Sequence, residues 1–153
     1  MRVQDLYSPG AKVTGPDQAL SDAARTMLES HVGSLIVVDG GGQRDGKGGR
    51  PIGILTDRDI VRGQLRLGAD LFCLTVGDVM TTDPLIITAT MGMTEAIVAM
   101  RARVVRRAPV VDGFGNLLGI ITLDDLLPAV ARELEELAAL IGSQARHERA
   151  LIG

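Results

Sequence analysis

Displaced by 73 positions, the sequence lies on itself, residues 3–39 falling on residues 76–112 without a gap. Val3-Gln4-Asp5-Leu6 matches Val76-Gly77-Asp78-Val79, Ala23 matches Ala96, Met27 matches Met100, and Val37-Val38-Asp39 matches Val110-Val111-Asp112. After a length difference in one loop, Gly53-Ile54-Leu55-Thr56-Asp57-Arg58-Asp59 falls on Gly119-Ile120-Ile121-Thr122-Leu123-Asp124-Asp125. The 153-residue chain is therefore two copies of one unit, together large enough for a compact core.

Each copy opens with a helical stripe, Leu20, Ala23, Ala24, Met27 and Leu28 in the first and Met93, Ala96, Ile97 and Met100 in the second. Two short apolar runs follow in each, residues 35–38 and 52–55, then 108–111 and 117–121, and these read as buried strands. The turn Asp112-Gly113-Phe114-Gly115-Asn116 is a compact hairpin, whereas its counterpart is swollen by glycines between 40 and 49 and is expected to be mobile. Hydrophobic residues make up 46% of the chain and aromatic ones only 2%, so the core is aliphatic, as suits helices packed on a covered sheet. The expected class is α/β. A last helix, from about residue 128 to 149, carries Leu134, Leu137, Ala138 and Ile141 on one face; that face needs a cover, either its own domain or a second subunit.

The net charge of -3, without a basic cluster interleaved with aromatic rings, argues against nucleic acid as a partner. The single cysteine, Cys73, fits a reducing compartment and reads as a small apolar residue. No stretch approaches the ~18 apolar residues of a spanning helix, and the start does not read as a signal segment, so a cytoplasmic protein with no membrane association is expected.

Thr56-x-x-Asp59 and Thr122-x-x-Asp125 each stand where an apolar strand turns into a helix. One reading is a capping box, in which the hydroxyl and the carboxylate satisfy free amides of the first turn. The other uses the same geometry for a ligand: the helix start favours a phosphate, and a carboxylate one turn in can accept ribose hydroxyls. Gly41-x-x-x-x-Gly46-Lys47 resembles part of a phosphate loop, but Gly48 stands where Ser or Thr is needed and Pro51 follows. His31 and His147 lack the spacing of metal ligands, and no catalytic triad can be assembled.

The segments Gly53 to Asp59 and Gly119 to Asp125, with Arg107-Ala108-Pro109-Val110-Val111-Asp112 and Val76-x-Asp78-Val79-Met80-Thr81, resemble tandem CBS (cystathionine-β-synthase-type) domains. The likeness divides the chain into repeats at 3–70 and 76–127 and a C-terminal helix at 128–150. It implies two β-α-β-β-α repeats related by a pseudo-twofold axis, two clefts, and modules that pair into homodimers. It further implies an adenosyl ligand, AMP, ADP, ATP or S-adenosylmethionine, with Asp59 and Asp125 on ribose and Thr56 and Thr122 near phosphate. Ser34, Thr81, Arg58, Arg107 and Pro109 complete the ligand-binding set that the resemblance suggests. Arg106-Arg107 stand where the first repeat has Gly33-Ser34, so tighter binding is expected in the cleft of Asp125 and Arg107. Pro109 suggests a sheet edge or a place where a ligand approaches backbone. No catalysis, metal or required cofactor is expected. The function implied is regulatory, exerted on an unidentified protein through a change of shape or pairing; a dimerisation module with vestigial clefts is the alternative.

Overall fold

The computed structural model describes residues 1–41 and 48–152. Most of the glycine-rich loop expected to be mobile, and most of the 41–47 phosphate-loop pattern, lie outside the described residues. Strands β1 (Ser8–Pro9) and β2 (Val13–Thr14) lead into α1 (Leu20–Ser30), the hairpin of β3 (Ser34–Val38) and β4 (Pro51–Thr56), and α2 (Asp57–Leu67). The second half repeats this order: α3 (Val76–Val79), β5 (Thr81–Thr82), β6 (Ile87–Thr88), α4 (Met93–Ala102), β7 (Arg107–Val111), β8 (Leu117–Thr122) and α5 (Leu123–Ile152). The expected stripes are the buried faces: Leu20, Ala23 and Met27 in α1, and Met93, Ala96 and Met100 in α4. Four consecutive residues are buried in each of β3 and β7, which explains their uninterrupted apolar runs.

The strands form two sheets of equivalent order, β2-β3-β4-β5 and β6-β7-β8-β1. In each, the first pair is parallel and the other two are antiparallel. The strand that closes each sheet comes from the leading segment of the other repeat. The exchange is reciprocal at the level of single bonds. Val3 N–H donates to Met91 O at 2.9 Å and Gln4 N–H to Ala89 O at 2.8 Å; the matching positions, Val76 to Gln18 O and Gly77 to Pro16 O, give 2.9 and 2.8 Å.

Packing follows the exchange. Val3, with Leu6 and Tyr7 beside it, joins the core of Ile87, Met100, Val110 and Ile121. Val76 and Val79 join Leu20, Leu35 and Leu55. A fully buried aliphatic side chain contributes about 1.5–3 kcal/mol, so each core draws part of its stability from the other repeat's leading segment. The motif glycines make the exchange possible. A Cβ on Gly53 would stand 2.8 Å from Thr81 O, and one on Gly119 would collide with Ser8 O, so any larger residue would push β5 or β1 off its sheet.

Two expectations are corrected. Pro109 is not at an edge: it is buried in β7, an interior strand between β8 and β6. Pairing with β6 begins only at Val110, opposite Ile87, so a residue without an N–H is tolerated one step earlier. The C-terminal helix does not begin near residue 128 but is continuous with the helix after β8, Pro128 lying inside it. Proline there forgoes one helical hydrogen bond, and burial of Leu126 and Ala129 in the second core holds the helix together on both sides of it. At 1.5 Å per residue α5 is about 45 Å long. Beyond residue 130 it stands clear of the core, its side chains exposed.

Candidate functional site

Both Thr-x-x-Asp motifs cap helices. Thr56 Oγ1 accepts from Asp59 N–H at 3.1 Å while Asp59 Oδ2 accepts from Thr56 N–H at 2.9 Å, a complete capping box at the start of α2. At α5, Asp125 Oδ2 accepts from both the N–H and the hydroxyl of Thr122, at 2.8 and 2.9 Å. Capping employs only one carboxylate oxygen in each motif. The other reaches the exchanged strand: Thr81 Oγ1 donates to Asp59 Oδ1 at 3.3 Å, and Ser8 Oγ donates to Asp125 Oδ1 at 3.0 Å. Each motif aspartate thus ties a helix start to the incoming strand. Sequence reasoning included Thr81 but missed Ser8; the 73-residue displacement that aligns the two was the signal available.

A cleft of about 320 Å³ opens between the repeats, with Ser8, Lys12, Ser34, Arg107 and Thr122 supplying polar groups and Val32, Ile36 and Ile120 apolar walls. Arg107 Nη1 donates to Ser34 Oγ at 2.8 Å, both side chains being half-buried. These two residues occupy equivalent positions of the two repeats, so the bond joins β3 to β7 across the pseudo-twofold relation. The cleft brings together Ser34, Arg107 and Thr122, and Asp125 adjoins it through Ser8. Arg106 is exposed and forms no part of its lining.

The first motif is placed differently. Asp59 and Thr81 line a hollow of about 550 Å³ along α2 with Arg62, Arg66 and Met80, and Thr56 is not among its walls. Arg58 is exposed, its backbone N–H donating to Asp57 Oδ1 at 2.8 Å, and it lines neither hollow. The positions matching Lys12 and Arg107 are Leu85 and Ser34. The position matching Gly10, which lines the 320 Å³ cleft, is Asp83, ion-paired with Arg103 at 3.1 Å. Positive charge is therefore gathered beside Thr122 and not at the equivalent places of the first repeat. Two cations, several hydroxyls and a neighbouring carboxylate, between aliphatic walls, suit an anion that also carries a planar apolar part and hydroxyl groups. Among the described residues, no group of three or more His, Cys, Asp or Glu side chains is placed to hold a metal ion, and no helix is long and apolar enough to cross a membrane.

The CBS domain family matches the sequence twice, over residues 3–66 and 76–132. The chain is 32% identical over 133 residues to Hypoxic response protein 1 of Mycobacterium tuberculosis, covering 87% of this chain and 85% of that protein. It is 31% identical over 128 residues to an uncharacterized protein of Methanopyrus kandleri, covering 81% of this chain but only 62% of that protein's length. Among solved structures, CBSX2 in complex with AMP is similar with a TM-score of 0.70 at 27% identity, covering 86% of this chain and 96% of that one; CBSX2 comes from Arabidopsis thaliana. A duplicated β-α-β-β-α unit with reciprocally exchanged strands, matched by one family in both copies, leaves a single assignment: the chain belongs to the CBS domain family and carries a tandem pair of these domains.

Proposed function

We propose that this CBS pair is a regulatory module that binds an adenine nucleotide or related adenosyl compound in the cleft of Thr122 and Arg107. The observation that carries this reading is the convergence of Lys12, Arg107, Ser34, Ser8 and Thr122 on one aliphatic-walled cleft at the start of α5. Arg107 and Lys12 neutralise phosphate and the Thr122 hydroxyl adds a donor, at a helix end whose dipole favours an anion. Asp125 exchanges its bond from Ser8 for bonds from ribose hydroxyls, while Val32, Ile36 and Ile120 flank the purine. The AMP complex of CBSX2 supports the same class of ligand.

AMP, ADP, ATP and S-adenosylmethionine are the candidates, and the charge difference between the repeats favours this cleft over that of Asp59 and Thr56. The module works as a cytoplasmic homodimer that changes shape or pairing when ligand binds and so acts on another protein, catalysing nothing itself and requiring no cofactor. Such a response requires the ligand to bind two states of the module unequally. Isothermal titration with the four compounds, on protein shown to carry no copurified ligand, tests this. Saturable binding is expected, and Asp125→Ala weakens it by about 10- to 100-fold, the scale of lost bonds to a charged group. An unchanged dissociation constant would remove the ribose role from Asp125. No binding by any of the four would favour a purely structural dimerisation module, the reading that the long exposed face of α5 supports.

A further inference from the structure

We propose that α5 pairs antiparallel with α5 of a second copy of this chain. The proposal rests on the reading of the protein as a homodimer and is independent of which ligand the cleft takes. Of the thirty residues of α5, only Leu126 and Ala129 are buried. Along the rest, Leu127, Val130, Leu134, Leu137, Ile141, Gln144, Glu148 and Leu151 recur in alternating steps of three and four. That is the spacing of a coiled-coil seam rather than of a face laid on a globular core. Leu134 is 61% exposed, Leu137 59%, Ile141 71% and Leu151 74%, so the seam has no cover within its own chain. Ala131, Ala138 and Ala145 flank it at every seventh position, where small side chains let two helix axes approach closely.

Charge selects the occupant and its direction. Glu133, Glu135 and Glu136 lie in the first half of the free helix, and Arg146, His147 and Arg149 in the second. A parallel pair would set acidic half on acidic half and Glu148 beside its own copy within the seam. An antiparallel pair sets each acidic half over a basic one and also opposes the two helix dipoles. Centred on the turn between Leu137 and Ile141, it places Leu137 against the partner's Ile141 and Leu127 against the partner's Leu151. Gln144 and Glu148 then face the partner's Leu134 and Val130, polar seam positions of the kind that fix register at some cost in stability. Such a seam removes on the order of 1,000 Å² from water, at the low end of what a specific interface needs.

Light scattering on the full chain tests the surface. The wild type is expected at twice the 16.1 kDa chain mass, and Leu137→Glu with Ile141→Glu at the single mass, with the melting of the repeats unchanged because both positions are exposed. A monomeric wild type would sink the homodimer reading and this proposal together. A variant that stays dimeric with folded repeats would leave the homodimer standing and overturn the proposal. Direction is read by disulfide trapping in a Cys73→Ser background. Chains with Ala131→Cys are expected to cross-link to chains with Ala145→Cys, whereas cross-linking of either kind only to itself would overturn the antiparallel arrangement.

Discussion

Arg107 stands in the second repeat where Ser34 stands in the first, and the 2.8 Å bond between them fixes the guanidinium at the cleft, whereas neighbouring Arg106 is exposed. Adjacent residues on a strand point to opposite faces, so a pair that looks alike in sequence is divided by the fold. If Arg107 meets phosphate, Arg107→Ala should weaken AMP binding by about 10- to 100-fold, the scale of a charge-assisted hydrogen bond, and leave adenosine binding nearly unchanged. Arg106→Ala should change neither. Calorimetry with both ligands decides: an equal loss for adenosine and AMP would make Arg107 a structural link between β3 and β7.

The β7–β8 hairpin shows how one side chain organises an element. Asp112 Oδ1 accepts from Phe114 N–H at 2.8 Å and from Asn116 N–H at 2.9 Å, and Oδ2 accepts from the Asn116 amide at 3.0 Å. Hydrogen bonds from the Asn116 side chain and backbone, then those from Phe114 and Gly115, hold this carboxyl below its ordinary range. A depressed folded value means that the stabilisation is fully present above the unfolded value of about 3.9 and is lost as pH falls through the folded one. Amide exchange at Phe114 and Asn116, followed by NMR, should therefore quicken, relative to exchange elsewhere in the sheet, only well below pH 4; unchanged relative protection at pH 2 would deny the carboxylate its role. The hairpin itself was legible in Asp112-Gly113-Phe114-Gly115-Asn116, as were the helical stripes and the four long strands, because periodicity and turn chemistry are local. The exchange of β1 and β5 was not. Ser8–Pro9 and Thr81–Thr82 are two-residue exposed strands, too short to show alternation, and only the tertiary fold reveals what they close. The same limit hid Ser8 and Lys12 as walls of the cleft, and the continuity of α5 through Pro128 depends on the burial of Leu126 and Ala129, which no local pattern displays.

At the scale of the whole molecule, exchange makes the two repeats one folding unit. Val3 is completely buried among residues of the second core and Val76 among those of the first, so neither core is complete until both leading segments have crossed. Losing a buried valine from its core forfeits about 2 kcal/mol of burial. A state with one repeat unfolded would forfeit several such contacts in the surviving repeat, together with its closing strand, against a total stability of about 5–15 kcal/mol for an ordinary domain. That state should not accumulate, and unfolding should be a single transition. The sequence provides its own reporter: Tyr7, the only tyrosine in a chain without tryptophan, belongs to the first repeat but packs on the core of the second. In a urea titration at fixed protein concentration, Tyr7 fluorescence and far-ultraviolet circular dichroism should give the same midpoint. Dichroism that falls in two steps, with Tyr7 following one of them, would mean that the exchanged segments do not bind the repeats into one cooperative unit.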